Sequence, residues 1–219
     1  MVEDKTGSIW AGGAYGFARF ESGKWRLVGP ELGFPAPGVQ VLYVDRRGSL
    51  WVVTDGLDFG LSKDLVRRNT ILTLAPGTTH FAATGDAVGQ VLMMAEAPGG
   101  GVWITDTSGG TVRPIKGQSA GKTAIAVGGE SRGLLFDGAS SLWIGLVEGG
   151  LRRVADLGNP TGFVVEQIKG GEGFSGALGY SAFKDREGDL WFGTGGAWSV
   201  FARTRLRLSP RARDWYPIS

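Results

Sequence analysis

Carboxylates are the side chains of this sequence whose placement most suggests chemistry. Asp4, Asp45, Asp137 and Asp185 each open a short segment rich in glycine or serine, and Asp55, Asp58, Asp106 and Glu148 each follow a tryptophan-containing segment. A carboxylate can hold a cation, transfer a proton or accept hydrogen bonds from ligand hydroxyls. The first set is spaced by 41, 92 and 48 residues, so its members belong to separate structural units and cannot act as one carboxylate pair. Capping of local turns is the expected role for those four. The second set, with Tyr15 and Thr194, falls in irregular connections, where hydrogen bonding or stacking against a polyol or glycan is the expectation.

Most catalytic chemistry is excluded by composition. The sequence has no cysteine and a single histidine, His80, which removes thiolate chemistry, disulfides and multi-histidine metal cages. Neither GGGV nor GGEG carries the Lys and Ser/Thr of a phosphate loop, and GESRG (129–133) does not fit a nucleophile elbow. No catalytic residue, metal site or cofactor is therefore expected, and the chain reads as a non-enzyme. Lys plus Arg is 23 against 21 acidic residues; without Arg203, Arg205, Arg207, Arg211 and Arg213 the formal charge falls from +2 to −3. The basic character is thus one local cluster, with the alternation of an outer strand, and no nucleic-acid partner is expected. Met1-Val2-Glu3-Asp4-Lys5 does not resemble an export signal, and no apolar run reaches the length of about 18 that suggests a membrane span.

The elements that must position these residues are short strands. Glycine supplies 39 of 219 residues, more than twice its usual share of about 7%, which opposes helices and favours strands joined by tight turns. One block recurs: DKTGSIW (4–10), DRRGSLW (45–51) and DREGDLW (185–191), with weaker copies DGASSLW (137–143) and APGGGVW (97–103). Trp10, Trp51, Trp103, Trp143 and Trp191 are spaced by 41, 52, 40 and 48 residues. Asp at the first position and glycine at the fourth, as at Gly48 and Gly188, suit a tight turn, and apolar flanks such as VQVLYV (39–44) make it a hairpin. Two further strands per block complete the pattern of an all-β chain: a β-propeller of about five four-stranded blades, or an arc of a larger one. One domain is expected over 1–219, with blocks near 2–28, 39–60, 91–115, 133–154 and 181–209. The five tryptophans are expected to pack between neighbouring blades.

The blocks DRRGSLWVVT and DREGDLWFGTGG resemble the two-component regulator propeller repeat, found in the sensor regions of hybrid histidine kinases. That resemblance implies a propeller that senses a carbohydrate or other small ligand outside the inner membrane and passes a signal to a kinase module, with further blades in a longer protein. It implies a periplasmic or extracytoplasmic location, although this chain shows no export signal and no membrane contact of its own. GGGVWITDTSGGTVRPI (99–115) is similar to repeats of the virginiamycin B lyase type, which implies the alternative of a propeller lyase, with His80 the sole histidine available. The Asp-to-Trp theme also resembles the Asp-box of sialidases, but here Asp and Gly are one residue further apart. A protein-interaction scaffold is the third reading.

Strand alternation divides the connections between two rims. The Asp-x-x-Gly turns fall on one and read as scaffold. The other receives the irregular connections that carry Tyr15, Asp55, Asp58, Asp106, Glu148 and Thr194, and the stretches 29–38, 61–80 and 155–178.

Overall fold

The computed structural model describes all residues except 36–37, 56–68, 108–109, 116–123, 139–140, 149, 156, 158–163, 169–178, 195–197, 203–204 and 209–219; for 87, 179–180, 194, 198–202 and 205–208 it describes the backbone alone. Five four-stranded antiparallel sheets follow one another along the chain as the blades of a β-propeller. Blade one comprises β1 (Val2–Glu3), β2 (Ile9–Gly13), β3 (Gly16–Glu21) and β4 (Lys24–Leu27). Blade two comprises β5 (Gly38–Val44), β6 (Leu50–Asp55), β7 (Asn69–Leu74) and β8 (Ala82–Val88). Blade three has β9 (Val91–Glu96), β10 (Val102–Asp106), β11 (Thr111–Pro114) and β12 (Ile125–Ala126). Blade four has β13 (Ser131–Phe136), β14 (Leu142–Leu146), β15 (Leu151–Ala155) and β16 (Val164–Ile168), and blade five β17 (Gly179–Lys184), β18 (Leu190–Thr194), β19 (Trp198–Ala202) and β20 (Arg205–Leu208). Strands pair in chain order within every blade, so each is a meander built from local contacts. The chain packs as two compact units, Met1–Ala126 with the first three blades and Val127–Ser219 with the last two.

Why the repeated block folds as it does is visible atom by atom. In the first, second and fifth blocks the glycine N–H closes the turn onto the aspartate carbonyl, at 3.0, 2.9 and 3.2 Å for Gly7, Gly48 and Gly188. Those glycines have φ of 81°, 93° and 90°, the left-handed region that a side chain would disfavour. The aspartate Oδ1 accepts the backbone N–H four residues on, from Ser8, Ser49, Ser141 and Asp189 at 3.1, 2.8, 2.8 and 2.7 Å. Its Oδ2 accepts the indole N–H six residues on, from Trp10, Trp51, Trp143 and Trp191 at 2.7, 2.9, 3.0 and 2.7 Å. One carboxylate thus fixes both the turn and the ring that follows it. In the third block Ala97 replaces the aspartate, so Trp103 cannot make this bond, yet the turn keeps its backbone closure through Ala97 and Gly101 at 3.0 Å.

Three of the rings so held seal a seam between successive blades. Trp10 is buried among Val39, Leu50, Val52 and Leu72 of blade two, and Trp51 among Val91, Met94, Val102 and Ile104 of blade three. In the second unit Trp143 packs with Leu190 and Phe192 of blade five, its ring 6.0 Å from that of Phe192. Trp103 is buried as well, and Trp191 is half-buried. Where the strand beside the tryptophan offers an arginine, it lies over the ring: Arg19 at 5.0 Å from Trp10 and Arg153 at 5.6 Å from Trp143. Both arginines also donate to the serine two residues before the tryptophan, Ser8 and Ser141, each at 2.9 Å.

Asp45→Ala removes the acceptor of a buried indole and the cap of its own turn, a charge-assisted pair of bonds whose loss costs about 2–4 kcal/mol. Urea unfolding should show that loss as a lower midpoint with an unchanged slope. The acid limb offers a second measurement. Burial opposes ionisation of Asp4, but the bonds from Thr6, Trp10 and Ser8 outweigh it and hold its carboxyl below the usual 3.8; Asp185 is lowered chiefly by Trp191. A lowered folded-state value means stability that is complete above the ordinary value and lost as pH falls through the folded one. Asp4→Asn should therefore flatten the decline in melting temperature below about pH 4 while leaving the slope near neutrality unchanged.

Candidate functional site

The rim opposite the Asp turns carries the polar groups of the first unit that are not explained by turn building. It is assembled where β2, β6 and β10 end and where β5 and β9 begin. Blade one contributes the hairpin between β2 and β3, with Tyr15 at its tip and 84% exposed. That hairpin lies directly on blade two: a Cβ on Gly38 would stand 2.3 Å from the Ala14 carbonyl oxygen and 2.7 Å from that of Gly13, so only glycine fits. Gly38 is the strand partner of Asp55. Backbone packing thus brings the Tyr15 hairpin and Asp55 to the same corner of the rim. Asp55 is 8% exposed, and its Oδ1 is buried with no hydrogen-bond partner among the described residues. A buried carboxylate oxygen without a donor is costly unless something else supplies one.

Two further carboxylates of this rim are paired internally. Arg113 of β11 donates from Nη1 to Asp86 of β8 at 2.7 Å and from Nε to Asp106 of β10 at 3.3 Å, which ties blade two to blade three. The Asp86 side chain is fully buried, and Gly85 before it adopts φ of 79° within the strand. Hydroxyls complete the frame: Thr54 Oγ1 accepts the Thr70 N–H at 2.9 Å, and Thr105 Oγ1 accepts those of Leu92 and Met93 at 3.1 and 3.0 Å. Asn69 is fully buried and donates to the Gly89 carbonyl. Register shifts at Val39/Val41 and Ile104/Asp106 mark both inner strand pairings at this rim, and Gln40, in the first shift, accepts the Val91 N–H at 3.3 Å. Such bulges re-aim side chains at strand ends.

Of the sequence-predicted residues, Tyr15, Asp55 and Asp106 fall on this rim of the first unit. Glu148 is exposed in the β14–β15 turn and Thr194 ends β18, both in the second unit; Asp58 lies outside the described residues. Arg113 and Asp86 were missed by sequence reasoning. Neither sits in a recurring position, so only their charge within otherwise apolar strands could have pointed to them. The expectation that the long connections share this rim does not hold for all of 61–80: Pro76, Gly77 and Thr78 join β7 to β8 and stand beside Asp4 and Gly48 of the Asp turns. His80, in the same connection, is exposed, with Nδ1 at 2.9 Å from Thr79 Oγ1. Among the described residues no group of three or more His, Cys, Asp or Glu is placed to hold a metal ion, and no helix is long and apolar enough to cross a membrane.

Comparison with solved structures places this blade architecture among known ones. The extracellular domain of the hybrid two-component system BT4673 from B. thetaiotaomicron matches 98% of this chain at a TM-score of 0.67 and 20% identity, with 30% of that domain covered. The chain shares its fold with two-component sensor domains. The same fold carries enzymes. A gluconolactonase from Xanthomonas campestris matches 88% of the chain at 0.59 and 16% identity, covering 67% of the enzyme. Virginiamycin B lyase from Staphylococcus aureus matches 94% at 0.65 and 14% identity, again covering 67%. The chain therefore spans under a third of the sensor domain and about two thirds of either enzyme. No protein-family model and no curated protein matches the sequence.

Arg113→Met leaves the buried Asp86 carboxylate without its counter-charge, and breaking such a pair from one side costs about 3–5 kcal/mol. Calorimetric melting of the variant should show that loss, and adding Asp86→Leu should recover a substantial part of it.

Proposed function

We propose that this chain is a non-catalytic, ligand-binding propeller segment of a sensor protein that works outside the inner membrane and signals to a kinase module. The observation that carries the reading is Asp55, whose buried oxygen finds no donor within the described residues, at the corner where the Tyr15 hairpin rests on Gly38. A ligand hydroxyl supplies the missing donor, and an exposed aromatic ring supplies a flat apolar face of the kind that stacks on a sugar or polyol ring. The likeness to two-component sensor domains and the repeat blocks support the same reading. Arg113, shared by Asp86 and Asp106, ties blade two to blade three on the same rim.

The experiment is a thermal-shift and calorimetric screen of the full chain against oligosaccharide fragments and small polyols, since a ligand that binds only the folded state raises its stability with concentration. At least one compound should raise the melting temperature, and Asp55→Asn and Tyr15→Ala should each weaken its binding about tenfold. A screen without a stabilising compound, or one whose compound is indifferent to both substitutions, overturns the site. Turnover of the bound compound overturns its non-catalytic character.

A further inference from the structure

Blade one and blade five each present apolar side chains to solvent at positions that are buried in the other blades, and the two faces are complementary. We propose that blade five of one molecule docks on blade one of a second copy, in the way that successive blades pack within the chain. This head-to-tail surface is independent of the corner at Asp55.

The seams inside the chain define both halves of the interface. The residues on either side of a tryptophan form the receiving face: Leu50 and Val52 take Trp10, Val102 and Ile104 take Trp51, and Leu190 and Phe192 take Trp143. All six are at most 5% exposed. Their counterparts in blade one, Ile9 and Ala11, are only half-buried. Strand register carries the same face outward from Ile9 to Phe20 and Trp25, and from Ala11 to Ala18 and Leu27. Phe20 and Trp25 stack at 5.3 Å, and Trp25 and Leu27 are exposed. The giving face is the tryptophan with its partner on the first strand of the blade. Tyr43 beside Trp51 packs on blade three, and Leu135 beside Trp143 packs on blade five. In blade five that pair is Phe183 and Trp191. Phe183 is 58% exposed and Trp191 half-buried, although Asp185 holds the indole as its counterparts do. Apolar side chains exposed in this way mark an interaction surface.

Charge points to the same pairing. At the seam of blades two and three, Arg46 reaches Glu96, donating from its backbone N–H at 2.8 Å and from Nε at 3.1 Å. Arg46 is the second residue of its turn, and Glu96 is the residue just before the next one. Arg186 holds the first of these places in blade five, and Glu3 holds the second in blade one. Both are exposed, and neither belongs to an ion pair among the described residues. Docking blade five on blade one therefore sets Arg186 against Glu3 as Arg46 is set against Glu96. A second copy is the favoured occupant because every molecule brings both halves, the condition for a heterologous interface.

The test is sedimentation velocity of the full chain across a micromolar concentration series. The mean mass should rise with concentration and pass beyond a dimer, because each docked pair keeps one free face at either end. Phe183→Glu, which spoils the giving face, and Glu3→Arg, which spoils the receiving face, should each weaken self-association tenfold or more. Mixed together, the two variants should form pairs of one molecule of each and nothing larger, since each retains the face the other has lost. Adding Arg186→Glu to Glu3→Arg should restore growth, a rescue that a merely structural effect would not give. Both Phe183 and Glu3 are exposed, and unfolding midpoints establish that the variants fold; should one not fold, the other decides alone. A monomer at every concentration overturns the second copy as occupant, whether the faces meet within one chain or are covered by blades of another polypeptide. Association indifferent to both substitutions, or a mixture that grows beyond pairs, overturns it as well.

Discussion

An indole sealed between two sheets still carries one N–H that burial makes expensive to leave bare, and that constraint organises this molecule. The solution is local: a carboxylate six residues upstream accepts the indole N–H on one oxygen and a turn backbone N–H on the other. Hairpin geometry and seam packing are thereby the same structural event. A blade cannot present its tryptophan to the next one without first closing its own turn, and a turn that closes has already aimed the ring. This accounts for a block in which Asp, Gly and Trp keep a constant spacing while the connections between blocks vary freely in length.

The two rims differ in how their charges are matched. On the Asp-turn side the turn aspartates are met by backbone and indole donors, which need no cation, while Arg19 stacks on Trp10 and pairs with Glu21, Arg153 stacks on Trp143, and Arg46 reaches across to Glu96 and the following turn. On the opposite side Arg113 holds two aspartates from two blades, and Asp55, at the same rim, keeps an oxygen with no donor among the described residues. Neutral donors make a frame insensitive to what approaches it. Buried carboxylates held by one guanidinium make a frame whose polarity is fixed in place, which is the property a recognition surface needs.

Much of this was legible in the sequence because it rests on periodicity. The recurrence of D-x-x-G-x-[I/L]-W sets the number of sheets, the turn residues and the seam residues, and each of the first, second and fifth blocks folds as its pattern implies. The Asp-to-Trp bond itself was legible only as a constant spacing, since nothing in residue types says that the second carboxylate oxygen turns toward the ring. Contacts between blades were not legible. Asp86 and Arg113 are 27 residues apart and meet only across the seam of blades two and three, and Gly38 is required by a carbonyl 24 residues earlier. The placement of residues 75–80 was misjudged for a related reason: which rim a loop joins depends on how many strands precede it in the blade, and the strand Asn69–Leu74 was read as part of a connection.

The degraded third block shows how such a repeat tolerates loss. With Ala97 in place of the aspartate, the turn loses its side-chain cap and the ring its upstream acceptor. The preceding blade holds the turn from outside by different bonds: Arg46 donates to the Ala97 carbonyl and, at 3.0 Å, to that of Pro98, while its Nε pairs with Glu96 at 3.1 Å. Lys5 reaches the Arg46 carbonyl in the same manner one blade earlier. The second position of the first and of the second turn is thus a strut onto the next turn, so the rim is a chain of linked hairpins in the first unit and not a set of independent ones. A turn held from outside can lose its own aspartate without losing its closure, which is why the most divergent block keeps both its left-handed glycines, at φ of 82° and 88°, and its buried tryptophan.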